Sequence, residues 1–223
     1  MPPGRSPPSP AQQALDETCR GIYSDMAALY AELEPSLARD GPAPGYAILF
    51  GPPRLRPPIL FIGYQPGGPY GPRPDAASPS PWPLVSEYAT CSWRLALRLQ
   101  DIYGKELLAR CTGTNAIFVR ARSSTHYKAY PPAARQRIEA FCIPACRRLV
   151  EAMQPEKVVV LGLGSLGLLG KAGQAPIATG AKGRWLVCDG TIAGRPITAV
   201  LHPTGAFGLS AAEWGTVKRH LAA

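Results

Sequence analysis

The segment Pro58-Ile-Leu-Phe-Ile-Gly63 decides how this chain folds, because it is short, apolar and ends at a glycine. A run of this kind is typical of a strand that is buried on both faces of a parallel sheet. A second run, Val158-Val-Val-Leu161, has the same character and stands far along the chain. Parallel strands need long crossover connections, so the two runs predict a parallel sheet with helices between its strands.

Apolar residues at helical spacing surround these runs, and further short apolar runs lie towards the C-terminus. We expect helices over 11–39, 86–103, 132–153 and from about residue 210, with additional strands over 114–119, 184–188 and 196–201. Strands that alternate with helices predict an α/β fold, here a three-layer α/β/α sandwich with a central, mainly parallel sheet. We also expect residues 1–10 to be a disordered Pro-rich tail and 11–223 to form a single domain.

The charge balance of the 223 residues is strongly basic, with 24 Lys and Arg against 15 Asp and Glu and a formal net charge of +9. This balance favours an anionic partner such as nucleic acid, although a genome that encodes Arg freely gives the same balance. No apolar run approaches the ~20 residues that cross a bilayer, and the N-terminal MPPGRSPPSP lacks the apolar core of a signal peptide. We therefore expect a cytoplasmic protein without a membrane partner.

Polar or glycine-rich sequence follows four of the expected strands. In an α/β sheet, ligands bind outside the carboxyl ends of the strands, so these positions form the candidate site. After the first of these strands, the stretch 64–84 holds seven prolines and three glycines. An irregular connection of that length is usually functional. The four are Gly63-Tyr-Gln-Pro-Gly-Gly68, Asn115 within Thr114-Asn-Ala-Ile-Phe118, Gly162-Leu-Gly-Ser-Leu-Gly167 and His202-Pro-Thr-Gly205.

The segment Gly162–Gly167 matches the G-x-G-x-x-G pattern of dinucleotide-binding turns, and Asp189 stands roughly where a ribose-binding acid is found. One alternative is therefore a nucleotide-dependent oxidoreductase. The same glycines also serve a tight strand-to-helix turn that packs closely on the sheet and needs no ligand.

The other three strand ends, taken together, resemble the uracil-DNA glycosylase superfamily. Its members share a motif of the type G-x-[DNEQA]-P-[GYA] after a buried strand, an Asn on a middle strand and a late H-P-[ST] loop. Here these are Gly63-Tyr-Gln-Pro-Gly67, Asn115 and His202-Pro-Thr204, in the same order. The resemblance covers roughly residues 55–220 and implies a DNA glycosylase that flips a deaminated base out of DNA and hydrolyses its N-glycosidic bond.

The resemblance implies a catalytic role for Gln65 and His202, the histidine as a donor to the anion that forms on the base. Efficient relatives have Asp or Asn where Gln65 stands, and an amide cannot act as a general base, although it can orient water. Asn115 has both a donor and an acceptor for the N3–H and O4 edge of uracil. Gly63 and Tyr64 of the first motif are further base-binding candidates. Two aromatic residues, Tyr70 and Trp82, are candidates for stacking on the flipped base.

A basic loop over 120–130 and the residues around the late motif supply the candidate DNA contacts. Phe207 is the candidate wedge for the vacated stack. The full set is Arg120, Arg122, His126, Lys128, Thr204 and Phe207. One branch of the superfamily has a histidine in such a loop that bonds covalently to the sugar, so a uracil-DNA binding or cross-linking protein with poor turnover is the other alternative, with His126 as its nucleophile.

Some branches of the superfamily also hold a four-Cys iron–sulfur cluster that uses an N-terminal C-x-x-C. Only Cys19 lies in that region here, and the six cysteines form no C-x-x-C anywhere. We therefore expect no cofactor and no metal. The expected partner is DNA that contains uracil or another deaminated base, and we expect the protein to act as a monomer.

Overall fold

The computed structural model describes residues 8–38, 43–67, 74–204 and 209–222. A helix or strand is present wherever the apolar patterns predict one, and the structure adds short elements at 124–129, 171–172 and 178–179 that those patterns do not predict. The helices are α1 (Pro10–Leu37), α2 (Glu87–Thr90), α3 (Arg94–Leu108), α4 (Ser124–Ala129), α5 (Pro132–Met153), α6 (Leu163–Leu169) and α7 (Ala211–Ala222). The strands are β1 (Ile59–Gly63), β2 (Thr112–Asn115), β3 (Lys157–Leu161), β4 (Lys171–Ala172), β5 (Ala178–Thr179), β6 (Trp185–Ile192) and β7 (Arg195–Val200).

All seven strands form one sheet in the order β2-β1-β3-β7-β6-β4, with β5 also paired to β6. The first four strands in this order run parallel to one another. Strand β6 forms an antiparallel hairpin with β7 and also pairs antiparallel with β4 and β5. The hairpin turns at Ala193 and Gly194, both of which have positive φ, as tight turns between twisted strands require.

Helices cover both faces of the parallel strands, because alternate residues of each strand point to opposite faces. Leu60 and Ile62 of β1 belong to a core cluster with α1 and α5. Ile59 and Phe61 belong to a second cluster with α3 and α7. The expected three-layer α/β/α sandwich with a central, mainly parallel sheet is therefore confirmed.

Several expected element boundaries are wrong, including that of the strand expected over 184–188, which is β6 and continues to Ile192. The single helix expected over 86–103 is divided into α2 and α3, and α3 continues to Leu108 past a non-helical Gly104 with φ 71°. The strand expected over 114–119 lies earlier, at Thr112–Asn115. Its residues are mostly polar and still buried, because parts of the chain that are distant in sequence pack against them. Thr114, for example, is buried and donates from Oγ1 to the carbonyl of Ile48 at 2.8 Å.

The basic segment over 120–130 is a helix over much of its length rather than a loop. Ser123 accepts a hydrogen bond from the backbone N–H of His126 and so caps α4. At the other end of the chain, α1 begins at Pro10 with Ser9 as its N-cap, and the rest of the expected tail, residues 1–7, lies outside the described residues. Among the helices described, none has the length and apolar character that a bilayer crossing requires.

Candidate active site

The carboxyl ends of the four parallel strands lie in one row. Gly63 at the end of β1 is paired with Asn115 at the end of β2, and Leu161 at the end of β3 is paired with Val200 at the end of β7. Gln65 follows β1 by two residues and His202 follows β7 by two. Because neighbouring strands are about 4.8 Å apart, the row from β2 to β7 is about 14 Å wide. The fold therefore brings the three motifs to one edge of the sheet.

Asn115 is buried at this edge with an unused hydrogen-bond donor. Its side-chain nitrogen Nδ2 is inaccessible to solvent and has no hydrogen-bond partner among the described residues, and the residue is only 4% exposed. Gly63 is needed beside it, since a Cβ at that position would overlap the Asn115 Oδ1 atom. The glycine of the first motif thus makes room for the amide of the second.

Gln65 has the complementary arrangement, with an unused acceptor. Its Nε2 donates to the carbonyl oxygen of Ala121 at 3.1 Å, while its Oε1 is buried and has no partner in the part of the chain that the structure describes. The backbone N–H of Ala121 in turn donates to the carbonyl of Pro66 at 3.2 Å. These two bonds determine which side of the Gln65 amide faces Ala121 and leave its carbonyl oxygen available to a donor.

His202 is held in one tautomer by its own loop. Its Nδ1 accepts from the backbone N–H of Thr204 at 3.2 Å, and the Thr204 hydroxyl lies 3.3 Å from the same nitrogen. Burial lowers the pKa of His202 below its usual value, which favours the neutral ring. A neutral imidazole whose Nδ1 accepts carries its proton on Nε2, so His202 presents an Nε2–H donor.

The segment after β2 is hydrogen-bonded to the first motif along its length. The N–H groups of Ala116 and Ile117 donate to the carbonyls of Gly63 and Tyr64, both at 2.9 Å. Arg120 adds a further hydrogen bond between the two segments, since its Nη1 donates to the carbonyl of Gly67 at 3.2 Å. The first and second motifs are therefore one rigid unit.

Arg120 differs from the exposed basic residues that follow it. It is half-buried, and desolvation lowers its pKa, an effect that nearby Glu87 partly offsets. The structure therefore gives Arg120 a contact inside the protein, to the loop of the first motif. Arg122, His126 and Lys128 are exposed on or before α4, where a phosphate backbone can reach them.

The aromatic candidates for base binding lie in different parts of the structure. Tyr64 is half-buried and its ring makes an edge contact with Tyr127 of α4, with the centroids 6.0 Å apart. Trp82 is 7% exposed and packs in the core, 6.0 Å from the ring of Tyr23 on α1, with the Arg20 guanidinium on its ring. The structure thus assigns Trp82 a packing contact with α1. Tyr70 and Phe207 lie outside the described residues.

The glycine-rich segment forms the turn from β3 into the seven-residue helix α6. Gly162 has φ 122°, a conformation that favours glycine, and its N–H donates to the carbonyl of Val200 at 2.9 Å. Asp189 lies on β6, which runs antiparallel to β7 and is not adjacent to β3. This topology differs from the βαβ unit in which such a turn binds a dinucleotide.

Sequence reasoning missed Ser165, which lies inside this glycine-rich segment. Its side chain is fully buried, and its Oγ has no hydrogen-bond partner within the described ranges. A Cβ at Gly162 would lie 3.5 Å from that Oγ and 3.8 Å from the His202 ring, so Ser165 and His202 flank the same turn. The only available signal was a polar residue in an apolar turn beside a strand end. Arg98, which contacts the loop that carries His202, also had no signal in the sequence.

Within the described ranges, no cluster of three or more His, Cys, Asp or Glu residues is arranged to hold a metal ion. The six cysteines are free thiols, and burial raises the pKa of Cys142 to about 12, so its thiol is inert near neutral pH. No family model and no curated protein matches this chain.

Proposed function

We propose that this protein is a DNA glycosylase of the uracil type, which takes a deaminated base out of DNA and hydrolyses its N-glycosidic bond. The observation that carries the proposal is a set of three complementary polar atoms at one sheet edge. Asn115 Nδ2 is an unused donor, Gln65 Oε1 is an unused acceptor, and His202 Nε2 carries a proton. A buried polar atom without a partner is costly, and a bound base with its attacking water would satisfy all three.

In the proposed reaction, Asn115 donates from Nδ2 to a carbonyl oxygen of the base. The bond between the base nitrogen and C1′ of the sugar breaks, and its electron pair stays on the base. The oxygen of a water molecule bonds to C1′, and the water proton passes to solvent. His202 donates from Nε2 to the negative charge that develops on the base, where a preorganised donor has its largest effect.

Gln65 orients the attacking water in this scheme. Its Oε1 accepts a hydrogen bond from the water, while the bond from its Nε2 to Ala121 prevents the amide from turning over. Because an amide does not take the proton away, we expect slower turnover than a carboxylate at this position would allow. The proposed partner, DNA, fits the net charge of +9 and the exposed basic residues of α4.

The experiment is a single-turnover assay on single- and double-stranded oligonucleotides that carry one uracil, with strands that carry thymine or cytosine as controls. We expect alkali-labile sites to accumulate only at uracil. His202→Ala is expected to slow base release by roughly 10²–10³-fold. His220→Ala, which removes a histidine of α7 away from the strand ends, is the matched control. A wild-type protein that leaves uracil intact in both single- and double-stranded DNA would reject the proposal.

The same assay separates the two alternatives. A denaturant-stable DNA adduct that is lost in His126→Ala would identify the cross-linking protein, which is favoured by the exposure of His126 on α4. Its Nδ1 lies 2.9 Å from the hydroxyl of Ser123, so the ring is already oriented by the helix cap. Nicotinamide binding without action on DNA would identify the oxidoreductase, which the position of Asp189 on an antiparallel strand disfavours.

A further inference from the structure

Arg98 of α3 contacts the loop that carries His202. Its Nη1 donates to the carbonyl oxygen of Pro203, and its guanidinium lies 4.6 Å from the ring centroid of Trp214 on α7. The arginine is half-buried, so the contact is partly shielded from water. A cation on the face of a Trp ring is attracted to it, which keeps the guanidinium in place.

The carbonyl that Arg98 holds belongs to the peptide unit between Pro203 and Thr204. The N–H of that same unit donates to His202 Nδ1 at 3.2 Å. The bond is trans, so its C=O and N–H point in opposite directions. One rigid peptide plane therefore lies between Arg98 and His202, and a rotation of that plane breaks both hydrogen bonds.

The charge of Arg98 also acts through this plane. A guanidinium on the carbonyl oxygen draws electrons towards that oxygen and makes the N–H of the unit a stronger donor. A stronger donor at Nδ1 keeps that nitrogen unprotonated and leaves the proton on Nε2. Pro203 adds stiffness because its ring fixes φ.

We propose that Arg98 is a positioning residue that sets the tautomer and orientation of His202 through the Pro203–Thr204 peptide unit. Its importance for base release rests on the proposed function, whereas its effect on the imidazole does not. Trp214 supports the same arrangement by holding the guanidinium.

The first measurement is NMR of the ¹⁵N-labelled histidine rings at neutral pH in the wild type, Arg98→Met and Arg94→Met. We expect His202 in the wild type to show an unprotonated Nδ1 and a protonated Nε2. Arg98→Met is expected to shift the Nδ1 signal towards a mixture of tautomers. Arg94 is exposed, lies one helical turn earlier and serves as the matched control, so Arg94→Met should leave the His202 signals unchanged.

Arg98→Gln and Arg98→Lys keep the proposal testable if the Met variant folds poorly. Gln retains a donor without charge, so we expect a shift intermediate between the wild type and Arg98→Met. Lys retains the charge, so we expect it to restore most of the wild-type signal. Unchanged His202 signals in the folded Arg98→Gln variant, or no recovery with Lys, would overturn the proposal.

The kinetic measurement is the single-turnover rate of base release at saturating DNA. We expect Arg98→Gln to lower this rate at least tenfold, with affinity for uracil DNA changed less than twofold. If the wild type releases no base while the His202 tautomer still depends on Arg98, the proposed function fails and the positioning role stands. If base release occurs and neither rate nor tautomer responds to Arg98, only the positioning role fails.

Discussion

At the scale of single residues, Asn115 holds a buried hydrogen-bond donor that lowers stability. Its Nδ2 is buried without a partner, and a donor left in this state costs about 1–3 kcal/mol. Leucine has nearly the same shape as asparagine and no polar atoms. We therefore expect Asn115→Leu to unfold at an equal or higher temperature than the wild type and to lose base release.

Thr114→Val, one residue earlier on β2, is the comparison variant for Asn115→Leu. Thr114 Oγ1 donates to the Ile48 carbonyl, so removal of its hydroxyl leaves that buried carbonyl unsatisfied. We expect a loss of about 1–3 kcal/mol in the free energy of unfolding. Denaturant titration of both variants measures the difference. A markedly less stable Asn115→Leu would show that Nδ2 has a partner in solution.

The side chain of Gln65 has a structural role in addition to the proposed one. Gln65→Glu keeps the length of the side chain but places a carboxylate oxygen where Nε2 donates to the Ala121 carbonyl. Two acceptors then face each other, and we expect the free energy of unfolding to fall by about 1–3 kcal/mol. Thermal unfolding at pH 7 measures this, and an unchanged midpoint would contradict the contact.

Gln65→Asp tests the proposed role in water orientation. The shorter side chain gives up the contact with Ala121 and can accept a proton from water or stabilise the cationic sugar. We expect faster single-turnover base release than in the wild type, together with lower stability. A slower Asp variant would contradict the proposed role of Gln65 in orienting water.

At the scale of an element, Glu213 anchors the start of α7. Its carboxylate accepts from the N–H and hydroxyl of Ser210 in a capping box, and it also accepts from Ala181 and Arg184. The side chain is 11% exposed. The Ser210 N–H and the Arg184 guanidinium, with the other two donors, lower the pKa of Glu213 to about 2.

A carboxyl with a lowered pKa in the folded state stabilises the protein above its unfolded pKa of 4.5, and this contribution is lost as pH falls towards about 2. We expect Glu213→Gln to be less stable than the wild type at pH 7, and the difference to shrink between these two values. Glu32→Gln, which removes an exposed ion pair with Arg137, should change stability little. Urea titrations from pH 7 to 2 measure both. A difference that does not depend on pH would contradict the role of the charge.

Two exposed basic residues, Lys128 on α4 and Arg122 just before it, give a second prediction at this scale. If Arg122 and Lys128 each contact a phosphate, Arg122→Ala and Lys128→Ala should each reduce the slope of log affinity against log salt by about one. Arg120→Ala should instead lower stability and leave the slope unchanged, because its guanidinium contacts Gly67. Lys171→Ala is the control, because Lys171 lies on β4, the strand farthest from β2 in the strand order of the sheet. Fluorescence anisotropy at several salt concentrations measures the slopes, and equal slopes throughout would reject phosphate contacts by α4.

At the scale of the whole molecule, the strand order explains how distant motifs meet. Three parallel pairings place β1, β2, β3 and β7 side by side with their carboxyl ends together. Gln65 and His202, far apart in the chain, therefore lie at the same edge of the sheet. Strand β6 runs antiparallel to β7, so it extends the sheet on that side and contributes no carboxyl end to this row.

The sequence by itself determined the fold class and most of the elements. The apolar runs at β1 and β3 predicted strands, because short continuous apolar runs are typical of strands that are buried on both faces of a parallel sheet. The helix over 132–153 was predicted at its observed bounds, and the apolar run Val158–Leu161 lies within the observed strand Lys157–Leu161. The motifs at the strand ends also stand out in the sequence as polar or glycine residues after buried strands.

Only the tertiary structure decided what surrounds those motifs. The burial of Thr112–Asn115, the inward contact of Arg120 and the core position of Trp82 depend on neighbours that are distant in sequence. The same holds for Arg98, whose partner Pro203 lies on another element. Local patterns reflect which face of an element is buried, whereas a hydrogen bond between elements depends on how they pack. That packing fixed the unused atoms of Asn115 and Gln65 and the tautomer of His202.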